Sequence, residues 1–344
     1  MRDVYKNIIE KALVEHETFN GVVSISDLSG ERSDFASGLA ERVFGVPVNT
    51  ETRFGIASGT KGFTAIKILQ LIEEGKLELE SKLVDILPGV FEHMSDHVTI
   101  KHVLMHTSGM PDYFDEEVMD DFAALWDTLP MYKVEHPKDL LPLYSKEKMK
   151  FQPGERFSYN NGGFIALGLV IEALTKNKYQ DEVYDSVFVR SGMKTAGFDR
   201  FDSLKENSAF GYIYDPKEKS WRSNIYALPV NGNADGGAFV NVHDMDAFWT
   251  GLLNNDLIND TTFQMLNENQ IHVARNIHYS LGFWTKRSED SLECIYLMGE
   301  DPGVSFVSVL FPKTGIKYTV QSNTTDGAWD IHDILYDEVK KLIL

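Results

Sequence analysis

Phe54-Gly55-Ile56-Ala57-Ser58-Gly59-Thr60-Lys61 is the stretch from which the rest of the chain is read. An apolar approach ends at Ser58, and Phe63-Thr64-Ala65-Ile66 continues in a helical pattern, so a helix is expected from about Ser58 to Glu74, stopped by Gly75. Residues three apart on a helix share a face, with Cβ atoms roughly 5–6 Å apart, which sets Ser58 beside Lys61. Serine is a poor nucleophile until a base takes its proton. Burial disfavours an ammonium, so a lysine drawn out of water is a candidate base near neutral pH. The helix N-terminus adds a field favouring negative charge on Ser58.

Ser-x-x-Lys occurs three times, and context separates the copies. Ser145–Lys148 lies in the solvated run Ser145-Lys146-Glu147-Lys148-Met149-Lys150, and Ser191-Gly192 reads as a helix terminus. Taken alone, even Ser58–Lys61 is more often a capping serine followed by a surface lysine. Tyr159-Asn160-Asn161 changes the reading, because the other Tyr-x-Asn, Tyr5–Asn7, falls inside the opening helix.

Around these residues, 3–16 read as a helix through Val4, Ile8, Ile9, Ala12 and Leu13, followed by strands at 21–26 and 32–40. Residues 47–52 read as loop and 53–56 as a short extended stretch; helical periodicity then recurs at 99–106, 138–145, 163–175 and 178–190. Four strand-like runs follow at 277–287, 291–298, 303–311 and 316–323, and 330–342 closes as a helix. This order implies an α+β fold: a sheet domain from 1–62 and 200–344, split by a mostly helical insertion at 63–199.

Composition narrows the function. With 43% hydrophobic and 25% charged residues the 344-residue chain has ample material for a core, which excludes intrinsic disorder. A net charge of −19 and no Lys/Arg-rich block speak against nucleic acid as a partner. Cys294 is the single cysteine, so intrachain disulfides and cysteine-rich metal sites are out, and the scattered histidines, His272 and His278 six apart among them, lack ligand spacing. No apolar run reaches membrane-spanning length and the first residues lack a signal-peptide pattern, so a cytoplasmic location is expected of the chain as given.

The ordered set Phe54–Lys61, Leu104-Met105-His106-Thr107-Ser108-Gly109-Met110, Pro153-Gly154, Tyr159–Asn161, Asp235-Gly236-Gly237 with Asp244, and Tyr279-Ser280-Leu281-Gly282 resembles the serine β-lactamase/penicillin-binding protein superfamily. The branch it is similar to holds class C β-lactamases, related esterases and D-amino-acid peptidases. The resemblance spans about residues 20–340. It implies an antiparallel sheet flanked by helices, with the site between sheet and helical insertion. It also implies an acyl-enzyme on Ser58, Lys61 as base, Tyr159 as proton shuttle and Asn161 holding Lys61 and the substrate. Neither metal nor cofactor is called for. His106 and Asp235-Gly236-Gly237 are expected to be backbone architecture.

One family motif departs. The literal Lys313-Thr314-Gly315 follows Phe311-Pro312 and reads as a hairpin turn. Counting back from Pro302-Gly303 instead places Leu297-Met298-Gly299 at the functional position, with Leu297 in place of the usual cation. The backbone N–H groups of Ser58 and Glu300 are then expected to form the oxyanion hole. The expectation is an esterase- or amidase-like serine hydrolase on a small ester, amide or peptide, with weak or no β-lactam hydrolysis. The alternatives are a D-Ala-D-Ala carboxypeptidase or D-amino-acid peptidase, and a non-catalytic ligand-binding or sensor protein. The acidic stretch Asp112–Asp121 is expected to be a solvated face, with a lid over the pocket as the alternative. The oligomeric state is left open.

Overall fold

The computed structural model describes residues 1–14, 16, 18–288 and 291–343. An eight-stranded antiparallel sheet organises the molecule. Its strands are β1 (Gly21–Ser26), β2 (Arg32–Ser37), β3 (Ile271–Ala274), β4 (Ile277–Ser280), β5 (Phe283–Ser288), β6 (Ser291–Asp301), β7 (Val304–Phe311) and β8 (Ile316–Ser322), in the spatial order β2-β1-β8-β7-β6-β5-β4-β3. The first strand pairs with the last, from Gly21 opposite Ser322 to Ser26 opposite Lys317.

Both faces of this sheet are covered, which is why β1, β7 and β8 are buried along their whole length. On one face lie α1 (Arg2–Leu13) and the closing helix Trp329–Ile343, packed on Val23, Ile25, Val307, Val309 and Tyr318. The buried stripe of α1 keeps Ile8, Ile9 and Ala12 of the expected face, with Leu13 partly buried beside them, but Tyr5 is buried where Val4 was expected and Val4 is exposed. The expected helix over 3–16 ends at Leu13, and Glu15 lies outside the described residues.

Side chains alternate across a strand, so Phe306 and Leu310 face the other way, with Ile295 and Leu297, into the larger core. There they meet α2 (Lys61–Glu73), α3 (Asn161–Thr175) and α4 (Val242–Leu253). α2 and α3 are apolar nearly all round because neighbours cover them on every side. Phe63 joins the layers, edge-on to Phe188 and Phe248 at 5.1 Å each. No described helix is long and apolar enough to cross a membrane.

Several boundaries differ from the sequence reading. The run 277–287 is two strands, broken where Leu281 (φ 41°) and Gly282 (φ 96°) turn back; a Cβ on Gly282 would strike Ala65 of α2. The run 32–40 breaks at Gly38 (φ 87°), which abuts Asn20. Residues 138–145 form a 3-10 turn, Pro137–Leu143, and 178–190 a short α-helix, Tyr179–Val183, widened into a π-helical turn at Tyr184–Val189. α4, the helix Asp260–Glu268 and strand β3 had no counterpart in the sequence reading. Lys313-Thr314-Gly315 is the β7–β8 turn.

Phe63 is fully buried between layers. Truncation to alanine should therefore remove about 3–5 kcal/mol, read as a lower midpoint in urea denaturation with an unchanged slope.

Candidate active site

Four segments build one end of the sheet into a site. Ala57–Thr60 forms a 3-10 turn that feeds α2, so Ser58 leads the helix rather than belonging to it. Ala57 sits at φ 46°, a left-handed conformation that costs an L-residue roughly 1–2 kcal/mol. Neighbours enforce it. The Ala57 carbonyl accepts from Thr60 Oγ1 at 2.8 Å and from Gly237 N at 3.3 Å, and Ile56 N donates to Ala238 O at 3.0 Å. Asp235-Gly236-Gly237 thus serves as the expected backbone architecture around the turn.

Lys61 is 2% exposed, and its Nζ lies 2.8 Å from Ser58 Oγ, 2.8 Å from Asn161 Oδ1 and 2.7 Å from the Asp235 carbonyl. Burial lowers its pKa, opposed by the fields of Asp235, Glu116, Asp112 and Asp301. Tyr159 places its ring 4.9 Å from Nζ. Burial holds its phenol well above the usual range, with the Glu116 charge adding and a Ser58 hydrogen bond opposing. The His106 ring lies tilted against Tyr159, centroids 4.3 Å apart, and its Nδ1 accepts from Asn160 N at 3.0 Å. Burial keeps that imidazole neutral, and Lys61 pushes the same way.

Asn161 opens α3, and its place is set by a residue outside the predicted set. Asp112 accepts from Asn161 N at 2.6 Å and from Gly162 N at 2.8 Å, while Asn160 Oδ1 caps Gly163 N. Burial pushes the Asp112 carboxyl up to about 7 against those bonds. The stretch 112–121, expected to be a solvated face, divides: Glu116, Glu117, Val118, Asp120 and Asp121 are exposed, while Asp112 and Tyr113 turn inward. Tyr113 donates to the Asp235 carboxylate, and Glu116 and Met119 line the cavity. Asp115 pairs with a half-buried Lys150, and Glu117 pairs with Arg156 at the surface. The signal missed was local: two acids and two aromatics directly after the His106–Met110 loop.

Strand β6 closes the site. A Cβ on Gly299 would collide with Ile56 O and lie 2.7 Å from Ser58 N and 2.8 Å from Gly59 N, so only glycine lets the strand abut the nucleophile turn. Met298, Gly299 and Glu300 line the cavity, of about 1020 Å³, together with Ser58, Tyr159 and Asn161. Leu297 does not. It is 2% exposed and packs against Gly62 beneath α2, so this predicted site residue belongs to the core. Its side chain falls under the helix instead of at the cavity mouth.

The sequence model of the family described as "Beta-lactamase" matches residues 9–335. The chain belongs to this family. Among solved structures, the penicillin binding protein of Bacillus halodurans superposes with a TM-score of 0.91 at 41% identity, covering 96% of this chain and 99% of that one. Penicillin-binding protein 4* of Bacillus subtilis (strain 168) is 28% identical over 314 residues, 88% of this chain and 67% of its own length. The D-amino acid amidase of Ochrobactrum anthropi SV3, solved with D-phenylalanine, shares the fold at a TM-score of 0.79 and 19% identity, covering 99% of each chain. Serine hydrolysis of an ester or amide is the chemistry consistent with this membership.

Gly299→Ala should push β6 off the nucleophile turn. A loss of roughly 100-fold or more in acylation rate is expected, measured by stopped-flow with an activated ester, with thermal unfolding run alongside to verify the fold.

Proposed function

We propose that the protein is a serine hydrolase that forms an acyl-enzyme on Ser58 with esters or amides, and that β-lactams are poor substrates. The observation carrying this reading is the environment of the Lys61 amine. A neutral amine has two N–H groups and one lone pair. Asn161 Oδ1 and the Asp235 carbonyl can only accept, so they take both N–H groups and leave the lone pair directed at Ser58 Oγ, 2.8 Å away. Lys61 is thereby set as general base for the hydroxyl.

The steps follow from that arrangement. Ser58 Oγ attacks the substrate carbonyl as its proton passes to Lys61. The oxyanion forms at the seam where Gly299 meets the Ser58 turn, and the N–H groups of Ser58 and Glu300 are assigned to receive it. Tyr159, neutral and bonded to Ser58, relays the proton to the departing amine or alcohol. Water then cleaves the ester with the same residues acting in reverse. Leu297, buried and apolar, offers nothing to a substrate carboxylate. That favours esterase- or amidase-like substrates over penicillins and over a D-Ala-D-Ala carboxypeptidase role. A purely ligand-binding protein would have no use for a buried amine aimed at a serine.

A fluorophosphonate should add to Ser58 and labelled penicillin should not, as read by intact mass; Ser58→Ala should abolish the adduct, and rapid penicillin turnover would overturn the proposal. Lys61→Met should cost about 10²–10⁴ in kcat/KM. The active form needs neutral Lys61, whose pKa lies below the 10.5 of a free lysine, so kcat/KM should climb as pH rises through that lowered value.

A further inference from the structure

Two histidines that lack ligand spacing along the chain meet in the fold. His272 on β3 and His278 on β4 stand directly opposite each other in the antiparallel ladder. A bulge makes the match. Ile277 pairs with Ala274, yet the next residue, His278, pairs with His272, so Val273 is the extra residue on β3. In an unbroken ladder His278 would face Val273 instead. Side chains directly opposite one another lie on one face of the sheet, and the two rings have centroids 5.2 Å apart at an angle of 74°.

Backbone carbonyls of the connecting turn decide which nitrogen of each ring is free. His272 Nε2 lies 3.0 Å from Arg275 O, and His278 Nδ1 lies 3.3 Å from Asn276 O. A carbonyl only accepts, so both of these nitrogens carry a proton. In the neutral rings the lone pairs then belong to His272 Nδ1 and His278 Nε2, and neither has a hydrogen-bond partner among the described residues. Histidines that ligate a metal characteristically donate the other ring N–H to a carbonyl or carboxylate, which orients the ring. Both rings are held that way.

The separation also selects a geometry. With Zn–N bonds of about 2.0–2.1 Å and ring centres about 1.15 Å beyond each nitrogen, two imidazoles on a tetrahedral Zn²⁺ have centroids about 5.2 Å apart. A right-angled pair, as on square-planar Cu²⁺ or Ni²⁺, would bring them to about 4.5 Å. The observed 5.2 Å matches the tetrahedral case.

We propose that His272 and His278 chelate one tetrahedral late first-row dication, Zn²⁺ by preference, at the edge of the sheet. No cluster of three or more His, Cys, Asp or Glu suited to a metal occurs among the described residues, so the other two positions fall to water or an incoming donor. Neither histidine lines the catalytic cavity, and the site is independent of the Ser58 chemistry. Strand β3 is outermost and pairs with β4 alone, so a shared ion clips the edge strand to the sheet. Arg275 in the turn opposes a cation locally, while the net charge of −19 draws cations to the molecule as a whole.

The test titrates Zn²⁺ into the intact protein at neutral pH by calorimetry. One ion should bind tightly per chain and Tm should rise with Zn²⁺ concentration; Mg²⁺, which prefers oxygen ligands, should do neither. His272→Gln and His278→Gln should each weaken binding at least about tenfold, because either change breaks the chelate. His97→Gln, at an exposed histidine beside Asp96, should leave it unchanged. A readout that needs no variant is modification by diethyl pyrocarbonate: Zn²⁺ should shield His272 and His278 in the wild type, as read by peptide mass. Absence of zinc binding, affinity unchanged in both Gln variants, or protection that falls on other histidines overturns the site. Binding weakened in one variant and not the other overturns the chelate.

Discussion

An amine held out of water among three oxygens is the constraint on which the site depends. Removing an ammonium from solvent costs several kcal/mol unless partners compensate, and Lys61 is 2% exposed. Its three oxygen partners come from three separate parts of the chain: the Ser58 turn, the first residue of α3 and the Asp235 carbonyl. The same geometry accommodates both protonation states, because the proton moves between Ser58 and Lys61 while the other two bonds stay. Four surrounding carboxyls limit how far burial depresses the lysine, so the base is weakened but not lost.

Much of the neighbourhood exists to keep those oxygens in place. Asp112 fixes the start of α3 and hence Asn161; Gly237 and Ala238 grip the turn from the far side. Gly299 lets β6 press against Ser58. Ala57 is kept in a conformation it would not choose alone, which the surrounding hydrogen bonds over-determine. Rigidity here serves the chemistry, since misplacement of reacting groups by an ångström costs orders of magnitude in rate.

The parts legible in the sequence were those carried by local pattern. The Ser58–Lys61 spacing, Tyr159 and Asn161 read as one constellation, and these four residues meet around one amine or line one cavity. The sheet was legible because Val- and Phe-rich runs at short spacing have few other uses. What could not be read depended on which element lies over which. Counting along β6 located Leu297 but not α2 above it. Asp112 looked like any surface acid until the α3 terminus was set against it. Leu281, a non-glycine residue in a left-handed turn, disguised two strands as one.

The pairing of β1 with β8 has a consequence for how the chain is made. Gly21 meets Ser322, so the first strand leaves the ribosome about 300 residues before its partner. At ordinary elongation speeds that is a wait of roughly 15–60 s. Throughout it one edge of an apolar strand stands open. Until β8 emerges, β2 is the only sheet neighbour that β1 can pair with.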